Sequence, residues 1–266
     1  MRVFSVKLET EAVEEKPEVL PIPNPENRGL TLRNIVSVKE EILLRPTFFQ
    51  HFDRVVIDWK YLAQKEEPVL QKESEWINRQ GLKLIVDFSS GVNLFPDLRL
   101  INNHPEYAGN RETIFSVMKK MNVMGAGDMI LPVHRMVENN LSEEQFMEML
   151  QTSLRDICHE AARNGINVHL KSAQGGSVKL IGQLSELVEA VNEPNLYFAA
   201  STGMILYHRE DASKLVQTLE NRKSRICFVS SPELDNYGKV WNVNCPAYRY
   251  PDRKTLTSLL GTVAGY

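Results

Sequence analysis

Residues 142–171 read SEEQFMEMLQTSLRDICHEAARNGINVHLK, and this stretch decides the fold. Ser142 followed by Gln145 is a capping box, in which the hydroxyl and the amide each satisfy one orphan N–H of a helix start. Phe146, Met149, Leu150, Leu154, Ile157, Cys158 and Ala161 then keep helical spacing until Gly165, a residue suited to the left-handed turn that ends a helix. The strand Ile166-Asn167-Val168-His169-Leu170-Lys171 follows.

Working outward, the same unit of strand, loop and amphipathic helix ending in Gly or Asn recurs. Strands are expected at 54–58, 82–87, 129–134, 166–171, 195–200 and 225–230. Helices are expected after Asp58 (Val69, Leu70, Trp76 and Ile77 on one face), around Ile114 to Met121, and at 180–192, 211–221 and 252–263. Strands alternating with helices imply a parallel sheet with right-handed crossovers, buried on both faces. A closed (β/α)8 barrel and an open doubly wound sheet compete. No Gly-rich phosphate turn follows the first strand, so the barrel is favoured, irregular or incomplete at its N-terminal strands. Residues 3–8 and a segment near 34–38 are the candidates for the missing strands. Pro17, Pro21, Pro23 and Pro25 oppose helix formation. The expected division is therefore an N-terminal strand and Pro-rich arm over 1–30 and a barrel domain over 31–266.

The chain has 266 residues, 42% of them hydrophobic and 24% charged, with a net charge of −3. This is the composition of a folded globular domain, and it supplies no excess of cations for nucleic-acid binding. Three scattered cysteines, Cys158, Cys227 and Cys245, form neither a disulfide framework nor a zinc motif. No apolar run has the ~20 residues of a membrane span. A cytoplasmic protein with no nucleic-acid and no membrane partner is expected.

Chemistry in parallel α/β folds sits at the carboxyl ends of the strands. Those ends carry Asp58, Asp87, His134 with Arg135, Lys171, and Ser201. Lys171 ends a buried strand, so it reaches solvent, pairs with a carboxylate such as Asp87, or acts as a base or amine nucleophile. His134 is its companion as a catalytic candidate; Asp58, Asp87, Arg135 and Ser201 are the ligand-binding candidates. Aspartate is also a routine loop starter, which leaves Asp58 and Asp87 open to a purely local role. Gly175-Gly176-Ser177 could cradle an anion.

Several phrases together resemble the sugar isomerase/epimerase superfamily of xylose-isomerase-like TIM barrels. They are Phe52-Asp53-Arg54-Val55-Val56-Ile57, Gly81-Leu82-Lys83-Leu84, Met124-Gly125-Ala126 leading to Leu131-Pro132-Val133-His134, and Ala161 through Ile166. Val188 through Leu196 and the closing Leu259 to Tyr266 are similar to the family's helix-to-strand crossing and to its last helix with a Gly-Tyr turn. The resemblance implies a divalent metal held by glutamate, aspartate and histidine. At the matching positions stand Lys171, then Ser201-Thr202-Gly203-Met204 for the Asp-Thr-Gly-His phrase, and Cys227 to Ser231 for a His-x-x-Asp strand. Only His134 keeps a metal-type residue. Hard cations require carboxylate oxygens, and an ammonium in their place repels them.

The implied protein is a degenerate barrel with no metal ligands and no cofactor, which binds a carbohydrate-like ligand or serves as a scaffold. The alternative is an active sugar or sugar-phosphate isomerase or epimerase. It would use His134 and Lys171, or a divalent metal at an unrecognised site. The family's DNA-repair branch requires several metals and a basic groove, and the sequence argues against both. The two termini look like cuts beside strands: a closing strand at 3–8 would complete the barrel by itself, and otherwise a homo-oligomer or fusion to another domain would cover the open edge.

Overall fold

In the computed structural model, residues 28–31, 35–44, 54–88, 107–133, 142–172, 181–201 and 224–229 are described. Among the described residues, seven parallel strands close into a ring: β1 (Arg28–Thr31), β2 (Arg54–Asp58), β3 (Lys83–Asp87), β4 (Asp128–Val133), β5 (Asn167–Ser172), β6 (Leu196–Ser201) and β7 (Ser224–Val229). Each strand pairs with its sequence neighbour, and β7 returns to pair with β1 through Phe228 opposite Gly29. Helices lie between them: α1 (Ile35–Leu44), α2 (Trp59–Ala63), α3 (Glu67–Arg79), α4 (Tyr107–Met124), α5 (Glu143–Arg163) and α6 (Ile181–Val191). The fold is an α/β barrel of the TIM type, as the alternation of elements predicts. Among the described residues, no helix is long and apolar enough to cross a membrane.

The N-terminal region departs from the sequence reading. The segment near 34–38 is the start of helix α1, not a strand. Ile35 and Val38 are buried and Ile42 packs against the core, a helical spacing that outweighs the β-branched character of Ile35-Val36. The strand that opens the barrel is β1, which lies across the boundary expected after residue 30. Residues 3–8, 211–221 and 252–263 lie outside the described residues.

Elsewhere the local rules hold. Ser142 Oγ accepts the Gln145 N–H at 3.2 Å while Gln145 Oε1 accepts the Ser142 N–H at 3.0 Å, completing the capping box of α5. Gly165 after α5 and Gly81 after α3 take φ +67° and +69°, and Asn192 after α6 takes φ 56°, the left-handed conformation that ends each helix. On α3 the buried stripe is Leu70, Ser74 and Ile77; Val69 is exposed and Trp76 is half-buried, so the apolar face is narrower than the four expected residues.

Two cores result. The outer one packs Val55, Ile57, Leu84, Val86, Met129, Leu131, Val168, Leu170 and Phe198 of the strands against the helices. Each such side chain contributes about 1.5–3 kcal/mol on burial. The inner one is a small belt of Val56, Ile85, Ile130 and Ala199 inside the barrel. Alternation along each strand therefore places Asp58, Asp87, Pro132 and Lys171 on the inward-facing set, toward the carboxyl ends.

Candidate functional site

At the carboxyl end of the barrel β2 and β3 finish in register, Asp58 opposite Asp87. The two aspartates have different tasks. Asp58 Oδ1 accepts the Lys60 N–H at 2.9 Å and is the N-cap of α2, the local role open to it from the sequence. Asp87 is inside the mouth, its side chain only 6% exposed, with Oδ2 3.4 Å from Nζ of Lys171, which is 15% exposed. Lys171 reaches Asp87 across β4, where the residue in register with it is Pro132. Trp59 and Phe88, which follow the two aspartates in sequence, are buried and stack with centroids 5.8 Å apart and planes 8° from parallel.

Deeper in the barrel lies a second polar layer. His169 is wholly buried, its Nε2 2.8 Å from Asp128 Oδ1, and Asn167 Nδ2 donates to the same oxygen at 3.2 Å. Tyr197 stacks on the imidazole, centroids 5.4 Å apart, and donates its hydroxyl to the Pro194 carbonyl. Burial pushes the Asp128 carboxyl up, but the hydrogen bond and charge of His169, with help from Asn167 and Arg54, hold it below the usual aspartate value. The apolar belt is in register with this layer, Ile85 opposite Asp128 and Ile130 opposite His169.

Of the residues singled out from sequence, the structure joins Lys171 with Asp87, sets Asp58 next to them as a helix cap, and ends β6 at Ser201. His134 and Arg135 lie outside the described residues, as does the Gly175-Gly176-Ser177 turn. The floor residues Asp128, His169 and Arg54 escaped sequence reading, although a signal was present. Asn167, His169 and Lys171 are polar at every second position of β5, which marks an inward polar face in a strand otherwise read as continuous hydrophobe.

A hard divalent cation of the kind implied by the sequence resemblance takes about six oxygen ligands. Among the described residues, no three of His, Cys, Asp and Glu converge to hold a metal. The carboxylates of the mouth already have partners, one a backbone N–H and the other an ammonium that a cation would have to displace. The described residues do not fit such an ion. They suit hydrogen bonding to hydroxyl or carbonyl groups, with one ammonium donor and one carboxylate acceptor within reach of each other.

No known protein family and no curated protein matches the sequence. Solved structures do match. The barrel superposes on D-psicose 3-epimerase in the presence of D-fructose with a TM-score of 0.63 at 9% identity, covering 90% of this chain and 100% of that one. For a 3-keto-D-glucoside 4-epimerase from E. coli the values are 0.58 and 14%, over 90% and 98%. A xylose isomerase domain protein from Planctomyces limnophilus gives 0.54 and 16%, over 77% and 72%. These likenesses show the fold alone, a TIM-type α/β barrel that those sugar epimerases and the xylose isomerase domain protein also have.

Proposed function

We propose that the mouth of this barrel binds a carbohydrate-like ligand without a divalent metal, the fold being kept and the metal-dependent chemistry not. The observation that carries this reading is the Asp87–Lys171 pair at 3.4 Å. An ammonium beside the carboxylate repels a divalent cation, while the pair offers a hydroxyl-rich ligand both a donor and an acceptor. Neighbours with the same fold include enzymes crystallised with D-fructose and D-tagatose, which makes a sugar the first ligand to try. Asp58, Arg135 and Ser201 complete the proposed ligand shell, and His134 is the proposed companion of Lys171. A cytoplasmic location belongs to the same proposal.

The pair also favours a second reading, an active isomerase or epimerase in which Lys171 and His134 move the proton. Elemental mass spectrometry after dialysis against metal-containing buffer tests the first reading. About one tightly held divalent ion per chain overturns it, since such retention requires a built oxygen cage. A metal-free chain whose sugar binding, followed by saturation-transfer NMR, is lost in Lys171→Met supports it.

A further inference from the structure

We infer that Lys171 is an imine-forming amine, condensing with the carbonyl group of an open-chain aldose or ketose with Asp87 as its proton partner. The inference rests on the proposed carbohydrate site and names both the form of the ligand and its bond to the protein. Lys171 and His169 lie two positions apart on β5, both facing inward, and each meets a carboxylate from another strand. The lower pair is sealed: His169 has no exposed side-chain area and stands 2.8 Å from Asp128. The upper pair is looser at 3.4 Å, Lys171 retains 15% exposure, and it lies at the end of the barrel where a ligand can enter. A buried ion pair is weak as a stabilising device, because desolvation offsets most of its attraction. A short lock below and a longer, reachable pair above suit structural and chemical tasks respectively.

A carbonyl needs an electrophile before its neighbouring C–H or C–C bonds weaken, and an imine supplies one without a metal. The step balances within the pair. The Lys171 ammonium gives a proton to the Asp87 carboxylate, and the freed Nζ attacks the carbonyl carbon, forming the N–C bond. The Asp87 proton passes to the carbonyl oxygen, giving a carbinolamine. Asp87 then takes a second proton from nitrogen and returns it to the hydroxyl, which leaves as water. The product is the protonated imine, with Asp87 again a carboxylate. No oxidant or further reactant takes part.

Reductive trapping tests this on the full chain. Dihydroxyacetone, the simplest ketose, is added with sodium cyanoborohydride, whose hydride converts the imine to a stable secondary amine, and the modified lysines are mapped by peptide mass. Lys171 is expected to gain the adduct roughly tenfold or more ahead of Lys83 and Lys119, because an adjacent proton acceptor activates its amine. Asp87→Asn slows trapping at Lys171 while leaving the exposed lysines unchanged. Asp87→Glu, which keeps the carboxylate, restores much of the rate and controls for misfolding. Adducts only on exposed lysines, or no effect of Asp87→Asn in a folded variant, overturn the inference. Saturation-transfer NMR separates the two levels: sugar binding without a Lys171 adduct sinks the imine but leaves the carbohydrate site, and absence of both sinks the two together.

Discussion

Lys120→Met keeps the length of a side chain on α4 and removes three hydrogen bonds at once. Its Nζ donates to the carbonyls of Leu62 at 3.1 Å, Ala63 at 2.7 Å and Lys65 at 2.8 Å, the end of α2 and the turn beyond it. Those carbonyls point out of a helix C-terminus, where cations are favourable. The Leu62 carbonyl keeps the Lys65 N–H at 3.1 Å, so the loss falls mainly on Ala63 and Lys65. Ala63 is exposed and water replaces much of its bond; the Lys65 carbonyl is half-shielded. One full charge-assisted bond and a fraction of a second give about 2 kcal/mol. For a chain of this size that is a fall in Tm of roughly 4–8 °C. Far-UV circular dichroism measures it, and hydrogen exchange adds a local signature: faster exchange over 59–65, with α5 unchanged. A Tm shift below about 1 °C, or exchange that quickens equally in every helix, refutes the clamp.

Acidification should weaken the fold partly through Asp128. Its carboxyl titrates below the ordinary 3.8, so its stabilisation is fully present above that value and is lost as pH falls through the lower folded-state value. Urea midpoints measured against pH should fall more steeply on the acid side for the native chain than for Asp128→Asn; parallel curves contradict this. Gly165→Ala should cost about 1–2 kcal/mol. At φ +67° an added Cβ finds nothing within 4 Å, so the whole loss is backbone strain, and a Tm equal to the parent's would show that the turn relaxes freely.

The alternation of elements was legible because each signal is local: a capping box, a helical stripe, a Gly or Asn turn, an apolar run. The barrel's first strand was not. Arg28-Gly29-Leu30-Thr31 has one large apolar residue and a glycine, and only pairing with β2 and β7 makes it a strand. Ile35-Val36-Ser37-Val38 misled in the opposite way, since β-branched side chains concealed a helical spacing that becomes clear only with Ile42 included. At the site, strand-end position was enough to bring Lys171 and Asp87 forward as a pair. It could not separate Asp58 from Asp87, because an aspartate that caps and an aspartate that faces a cavity share the same sequence context. Asp128 and His169 are 41 positions apart, so their hydrogen bond depends on the ring itself.

Strand β5 also has a bearing on how the barrel keeps its phase. A slip by one residue would turn Asn167, His169 and Lys171 into the apolar shell and Val168 and Leu170 inward, stranding polar groups on one side and hydrocarbon on the other. Apolar strands tolerate such shifts far better. With Asp128 gripping it from below and Asp87 from above, β5 is keyed at two levels along its length, and floor and mouth are held in step by a single backbone.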